Sequence, residues 1–192
     1  MEKQAIEKVK NQLKANAKHF AETIVEEAEG LREDYSFTIY YNNDGDIGGT
    51  SEYRYGLTSI RSIEKYEDYN ILGEIKKGGY HNDYDNCLLG LNDYIQNGAG
   101  EGSADIYDLI NDLKKDETIE EAIDKLKDGK LKKSLQTEFK YLKEQHQKYI
   151  KDYIEAYEHA ILNIADGFTK ELADNQNKRR EFIEENLEWV GM

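Results

Sequence analysis

Residues 130–174 read KLKKSLQTEFKYLKEQHQKYIKDYIEAYEHAILNIADGFTKELAD. Along this stretch Leu131, Leu135, Phe139, Leu142, His146, Ile150, Tyr153, Tyr157, Ile161, Ile164, Phe168 and Leu172 recur at steps of three and four. Such steps place them on one stripe of an amphipathic helix. The chain contains no proline, so that source of kinks is absent. The spacing predicts a long helix over 130–174, locally weakened at Gly167. Asn175-Gln176-Asn177 is expected to break it before a last helix containing Phe182, Ile183, Leu187, Trp189 and Val190.

A second arm lies at the other end. Ile6, Val9, Leu13, Ala17, Phe20, Ile24, Ala28 and Leu31 form an equivalent stripe, and Gly30 stands near its end. A helix over 2–31 would be roughly 45 Å long. Two such stripes need cover, which antiparallel packing within the chain or a homodimer through the long helices would supply.

Between the arms stands the β signal. Phe37, Ile39 and Tyr41 alternate with Ser36, Thr38 and Tyr40, and Asn42-Asn43-Asp44-Gly45 supplies turn chemistry. Tyr53, Tyr55 and Leu57 alternate after Gly48-Gly49, which predicts a hairpin of 35–42 with 51–57. An isolated hairpin is marginal, so it must pack on helices or gain a strand. Residues 71–75 are a candidate third strand, and 59–72 reads equally as a short helix. Shorter helices are expected over 82–97, 104–115 and 117–127. The resulting fold class is α+β, mainly α: two long amphipathic terminal helices packed with shorter helices and a small antiparallel β-hairpin or sheet. The expected organisation is a single domain over 1–192, with an N-terminal helix (1–34), an acidic Tyr-rich middle (35–128) and a C-terminal helical arm (129–192).

At 192 residues, 38% of them hydrophobic, the chain is long enough to bury a core without disulfides or metals. No apolar run approaches the ~20 residues of a membrane span, and the first residues lack the apolar stretch of a signal peptide. One Cys excludes an internal disulfide framework or a multi-Cys zinc site. The expected location is cytoplasmic. The 15 Tyr, few Arg and absent Pro match the residue usage of AT-rich genes, as in a low-GC bacterium or its phages.

Net charge is −14 and uneven. Residues 35–128 hold 20 acidic and 9 basic groups, while 129–192 hold 12 and 11. Such a middle repels nucleic acid and anionic membranes and suits basic partners.

Local constellations give weak chemistry. Gly98-Ala99-Gly100-Glu101-Gly102-Ser103 precedes a helix as phosphate loops do, but it follows a helix and is flanked by carboxylates. Asn42, Asp44 and Asp46 have the alternation of a calcium loop, yet Ile47 stands where that loop needs Gly. His81, Asp83 and Asp85 offer a metal or acid–base group, against the plainer reading of a helix cap. Cys87 falls on an apolar face beside Leu88 and Leu91, as a structural cysteine does.

The acidic segment carries more. Asp105, Asp108, Asp112 and Asp116 recur at helical spacing opposite Ile106, Leu109, Ile110 and Leu113, and Glu120 and Glu121 continue the charge. Carboxylates four residues apart lie ~6 Å apart along a helix, close to the spacing of successive phosphates. The alternative is a solvated face. In charge and size, with no shared motif, the chain resembles small acidic inhibitors that phages and mobile elements use to imitate nucleic acid and block restriction or CRISPR machinery.

The leading expectation is a non-enzymatic interaction protein that binds a basic, nucleic-acid-binding protein surface and no nucleic acid directly. Asp105, Asp108, Asp112, Asp116, Glu120 and Glu121 would supply charge, and Tyr53, Tyr55, Tyr66 and Tyr69 aromatic contacts. No catalytic residue, metal or cofactor is expected. The alternatives are a small-ligand or metal-dependent enzyme using His81, Asp83 and Asp85, and a helical dimeric assembly protein.

Overall fold

The computed structural model describes residues 1–29, 35–53, 69–76, 90–96 and 102–187. The fold is α+β and mainly α. The chain divides into two compact units, Met1–Asn82 with Asp152–Met192, and Asp83–Lys151.

In the first unit, α1 spans Lys3–Glu29. Its expected stripe is buried at Ile6, Val9, Leu13, Ala17, Phe20 and Ile24. Strands β1 (Tyr35–Asn42), β2 (Ile47–Tyr53) and β3 (Tyr69–Lys76) form an antiparallel sheet in the order β2-β1-β3. The third strand is therefore real, and 69–72 is strand; residues 59–68 lie outside the described residues. The second strand starts at Ile47 rather than residue 51, because Gly48 and Gly49 pair with Tyr40 and Ile39 instead of forming a loop. Residues 54–57 of the expected strand lie outside the described residues.

The Asn42–Asp46 segment is a tight turn. The Gly45 N–H donates to the Asn42 carbonyl (3.0 Å), and Asp46 N–H donates to Asn42 Oδ1 (2.8 Å). Gly45 sits at φ +81°, and a Cβ there would stand 2.6 Å from the Ala5 carbonyl oxygen. Gly satisfies both demands at once. Helix α1 holds the turn: Gln12 Nε2 donates to the Gly45 carbonyl (3.2 Å), Ile47 N–H donates to Gln12 Oε1 (3.0 Å), and Lys8 pairs with Asp46 (2.7 Å). Asn42 and Asp46 are thus spent on turn geometry rather than arranged as a calcium loop.

The second unit begins its described part with α2 (Leu91–Gln96), α3 (Ala104–Asn111) and α4 (Ile119–Lys125). The expected helix over 82–97 is described only for Leu91–Gln96. The long α5 covers Lys130–Gly167, of which 130–151 belong to this unit and 152–167 to the first. Tyr94, Ile95, Ile106, Ile110, Ile119, Ile123, Leu135, Phe139 and Leu142 form one buried cluster. The Tyr94 ring packs on His146 (5.1 Å) and Tyr149 (5.3 Å), so His146 is a core residue on the expected stripe. Leu131 belongs to the same spacing but is 49% exposed, because it precedes the first core contact.

The long helix stops seven residues short of the sequence expectation, at Gly167. Thr169 then caps α6 (Lys170–Asp174), its Oγ1 accepting from Leu172 N–H (3.3 Å), and α7 (Gln176–Leu187) follows Asn175. Trp189 and Val190 lie outside the described residues. The break lets Phe168 turn edge-on to Tyr41, with centroids 5.4 Å apart. Lys14 of α1 pairs with Asp166 (2.5 Å), and the amino group of Met1 with Asp174 (3.3 Å). That order places α1 antiparallel to the end of the C-terminal arm within one chain.

Candidate functional site

The acidic surface is built on α3, the turn after it, and α4. Ser103 caps α3, and Glu138 of α5 reaches over to accept from Ser103 N–H (2.5 Å) and Oγ (2.7 Å). A carboxylate therefore already occupies the N-terminus of α3, where a phosphate would sit; residues 98–101 of the expected phosphate loop lie outside the described residues. Ile106 and Ile110 turn into the core, which leaves Asp105, Asp108 and Asp112 exposed on the outer face.

Asp116 departs from that face. The helix ends at Asn111, Asp112 is its C-cap, and Asp116 sits at φ 66° in the connection to α4. Asp is one of the few residues that tolerate the left-handed region, and this position uses it for the turn. The four aspartates expected at helical spacing are thus two within the helix, one at its C-cap and one in a turn. All four side chains are exposed. Among the described residues none has a cation within ion-pair distance.

The carboxylates further on are committed locally. Thr118 caps α4, and Glu121 completes a capping box by accepting from Thr118 N–H (3.1 Å). Glu117 accepts from Lys114 N–H (3.0 Å) and pairs with Lys125 (2.6 Å). The Lys125 bond holds the Glu117 carboxyl below its ordinary value, and Glu117 raises Lys125 in return. Glu120 pairs with Lys143 of α5 (2.9 Å), and Lys132 stands 3.6 Å from Asp128 and 4.0 Å from Asp124. Glu120 and Glu121 are exposed as expected, but both already hold internal partners.

Of the four candidate tyrosines, Tyr53 and Tyr69 have a described backbone. Tyr53 ends β2 opposite Tyr35, and Tyr69 begins β3 opposite Asn42, so they stand at opposite ends of β1, roughly 23 Å apart. Both belong to the first unit, the acidic residues to the second. Tyr55, Tyr66, His81, Asp83, Asp85 and Cys87 lie outside the described residues. Among the described residues no three His, Cys, Asp or Glu side chains cluster as a metal site requires, and no helix is long and apolar enough to cross a membrane.

Sequence reasoning missed a basic face on α5. The arm 129–192 nets only −1, but residues 129–151 contain seven lysines and two glutamates, while 152–192 contain ten acidic and four basic residues. Averaging over the whole arm hid both. A charge count per predicted turn would have found them.

No family model, characterised protein or solved structure matches the chain.

Proposed function

We propose that the chain is a non-enzymatic interaction protein whose acidic α3 face occupies a basic, nucleic-acid-binding surface of a partner protein. The setting that fits its composition is the cytoplasm of a low-GC bacterium, with the chain encoded by a phage or mobile element and aimed at a defence enzyme of the restriction or CRISPR type. One observation carries the reading. Asp105, Asp108 and Asp112 stand exposed on one face with no cation among the described residues in ion-pair reach, while the neighbouring carboxylates from Glu117 onward are met by lysines or a cap. Charges kept unpaired beside an otherwise neutralised segment repel one another, a cost that a cationic partner would offset. The three span about 10 Å of helix, the reach of two to three phosphates.

The experiment is capture of a partner from host extract on the immobilised full chain, followed by elution with duplex DNA or RNA. The proposal expects a nucleic-acid-binding protein that either nucleic acid displaces, and that a folded Asp105→Lys, Asp108→Lys, Asp112→Lys variant fails to retain. Retention by that variant would overturn it.

A further inference from the structure

The second unit has two outer faces of opposite charge. On α3, Asp105, Asp108 and Asp112 point away from the core formed by Ile106 and Ile110. On α5, Lys130, Lys133, Lys140 and Lys148 are exposed on the side opposite Leu135, Phe139, Leu142 and His146. Glu144 shares that side and lies 4.0 Å from Lys140. Tyr141, 57% exposed, sits among these lysines.

Internal pairing is used up along the seam between α4 and α5, where Glu120 meets Lys143, and Asp124 and Asp128 meet Lys132. Among the described residues no ion pair joins the α3 aspartates to these α5 lysines within one copy, and both outer faces turn away from the core they share. Their spacing nevertheless agrees. Asp105 to Asp112 and Lys133 to Lys140 are each seven residues, about 10 Å and close to two full turns, so each pair stays on one face. Tyr141 adds an amphipathic contact of a kind enriched at interfaces.

We infer that the chain self-associates through these faces, the α3 aspartates of one copy docking on the α5 lysines of a second. A copy that offers one face keeps the other free, so the contact is heterologous and growth does not stop at two. At ~0.15 M salt the Debye length of ~8 Å screens repulsion between whole acidic molecules while close pairs still attract. The contact is exposed and mostly charged, so it is weak and salt-sensitive.

Sedimentation velocity on the full chain from 10 µM to about 500 µM tests this, at ~0.15 M and ~0.6 M salt. The expected result is a sedimentation coefficient that rises with concentration past the dimer value at the lower salt, and loss of that rise at the higher. Asp105→Lys with Asp112→Lys, and Lys133→Glu with Lys140→Glu, should each abolish the rise with unchanged circular dichroism. Mixing the two variants should restore it, because one then presents lysines on both faces and the other carboxylates. A concentration-independent coefficient in the wild type would overturn the inference, as would failure of the mixture to recover. So would a finding that a fluorescent single-stranded oligonucleotide, and not a second copy, binds the lysine face and is lost in Lys133→Glu with Lys140→Glu. The partner proposed above is unaffected by this outcome: the lysine-face variant should still capture it, and only the aspartate variants should not.

Discussion

Arg179 Nη1 donates to the Tyr41 hydroxyl across 2.7 Å, joining α7 to the central strand of the sheet. Arg179 is 4% exposed and Tyr41 0%. The same Nη1 donates to the Ala173 carbonyl (3.1 Å), to which the Tyr41 hydroxyl also donates (3.2 Å). Its guanidinium carbon lies 5.8 Å from the Tyr41 ring centroid. Burial raises the Tyr41 hydroxyl above its ordinary value, and the nearby guanidinium pulls part of that shift back.

Tyr41→Phe takes an acceptor from a buried cation and should cost about 1–3 kcal/mol. Arg179→Met removes the cation and its bonds to Tyr41 and Ala173 and should cost a similar amount. The double variant should lose less than the sum, with a coupling of about 1 kcal/mol or more, as groups in one network do. Urea denaturation of the four proteins gives the cycle; strictly additive losses would show that the pair is not coupled.

Gly167→Ala should destabilise the first unit. A Cβ there would stand 2.4 Å from Phe182 Cζ, too close for any packing without a shift. Overpacking of this kind costs about 1–3 kcal/mol, read as a lower urea midpoint. Phe182→Leu in the same chain should recover part of the loss. An unchanged midpoint in Gly167→Ala would mean that α7 does not pack on this glycine.

These sites mark how far the sequence could be read. The α1 and α5 stripes were legible because their period repeats over many turns, and Val9, Leu13, Ile161 and Ile164 are buried as the period requires. The stop at Gly167 was visible only as a weak point, since the close approach of Phe182 that demands a glycine comes from a separate helix. Arg179 gave no signal at all: its helix is polar, and a buried arginine is set by Tyr41 far away in sequence. Asp116 was misplaced because helical spacing continues through residues whose backbone has already left the helix. Glu121 looked like a binding carboxylate, although the Thr118–Glu121 spacing is itself a cap signature.

Thr118→Ala should therefore cost about 0.5–2 kcal/mol, the usual value of an N-cap. It should do so without weakening partner capture, because the cap bonds run between Thr118 and Glu121 and use none of the α3 aspartates. A loss of binding at unchanged stability would instead make the capping residues part of the contact. The denaturant midpoint and the capture assay, read together, separate the two.

Acid should reveal the surface ion pairs. Lys14 holds Asp166 below its ordinary value of 3.8, Lys8 does the same for Asp46, and Lys125 holds Glu117 below 4.5. A depressed folded value means that the unfolded chain takes up the proton first. The stability from each pair is thus complete above the ordinary value and is lost as pH falls through the folded one. Protonation also relieves the repulsion of a −14 chain, which works the other way. The comparison of wild type with Lys14→Met isolates the pair. Between pH 6 and pH 3 the variant's urea midpoint should fall less than the wild type's, and the difference should shrink in high salt because the groups are exposed. Equal falls would show that this pair contributes nothing to stability.

The central claim, that the exposed aspartates of α3 steer the chain onto a cationic surface, is tested most directly by the association rate with the captured partner as salt is raised from 50 to 500 mM. Steered encounter predicts a rate constant that falls by about tenfold or more over that range, with little change in dissociation. The variant with Asp105, Asp108 and Asp112 changed to Lys should start slow and respond little to salt. A wild-type rate indifferent to salt, or a variant that associates as fast as the wild type, would contradict the account.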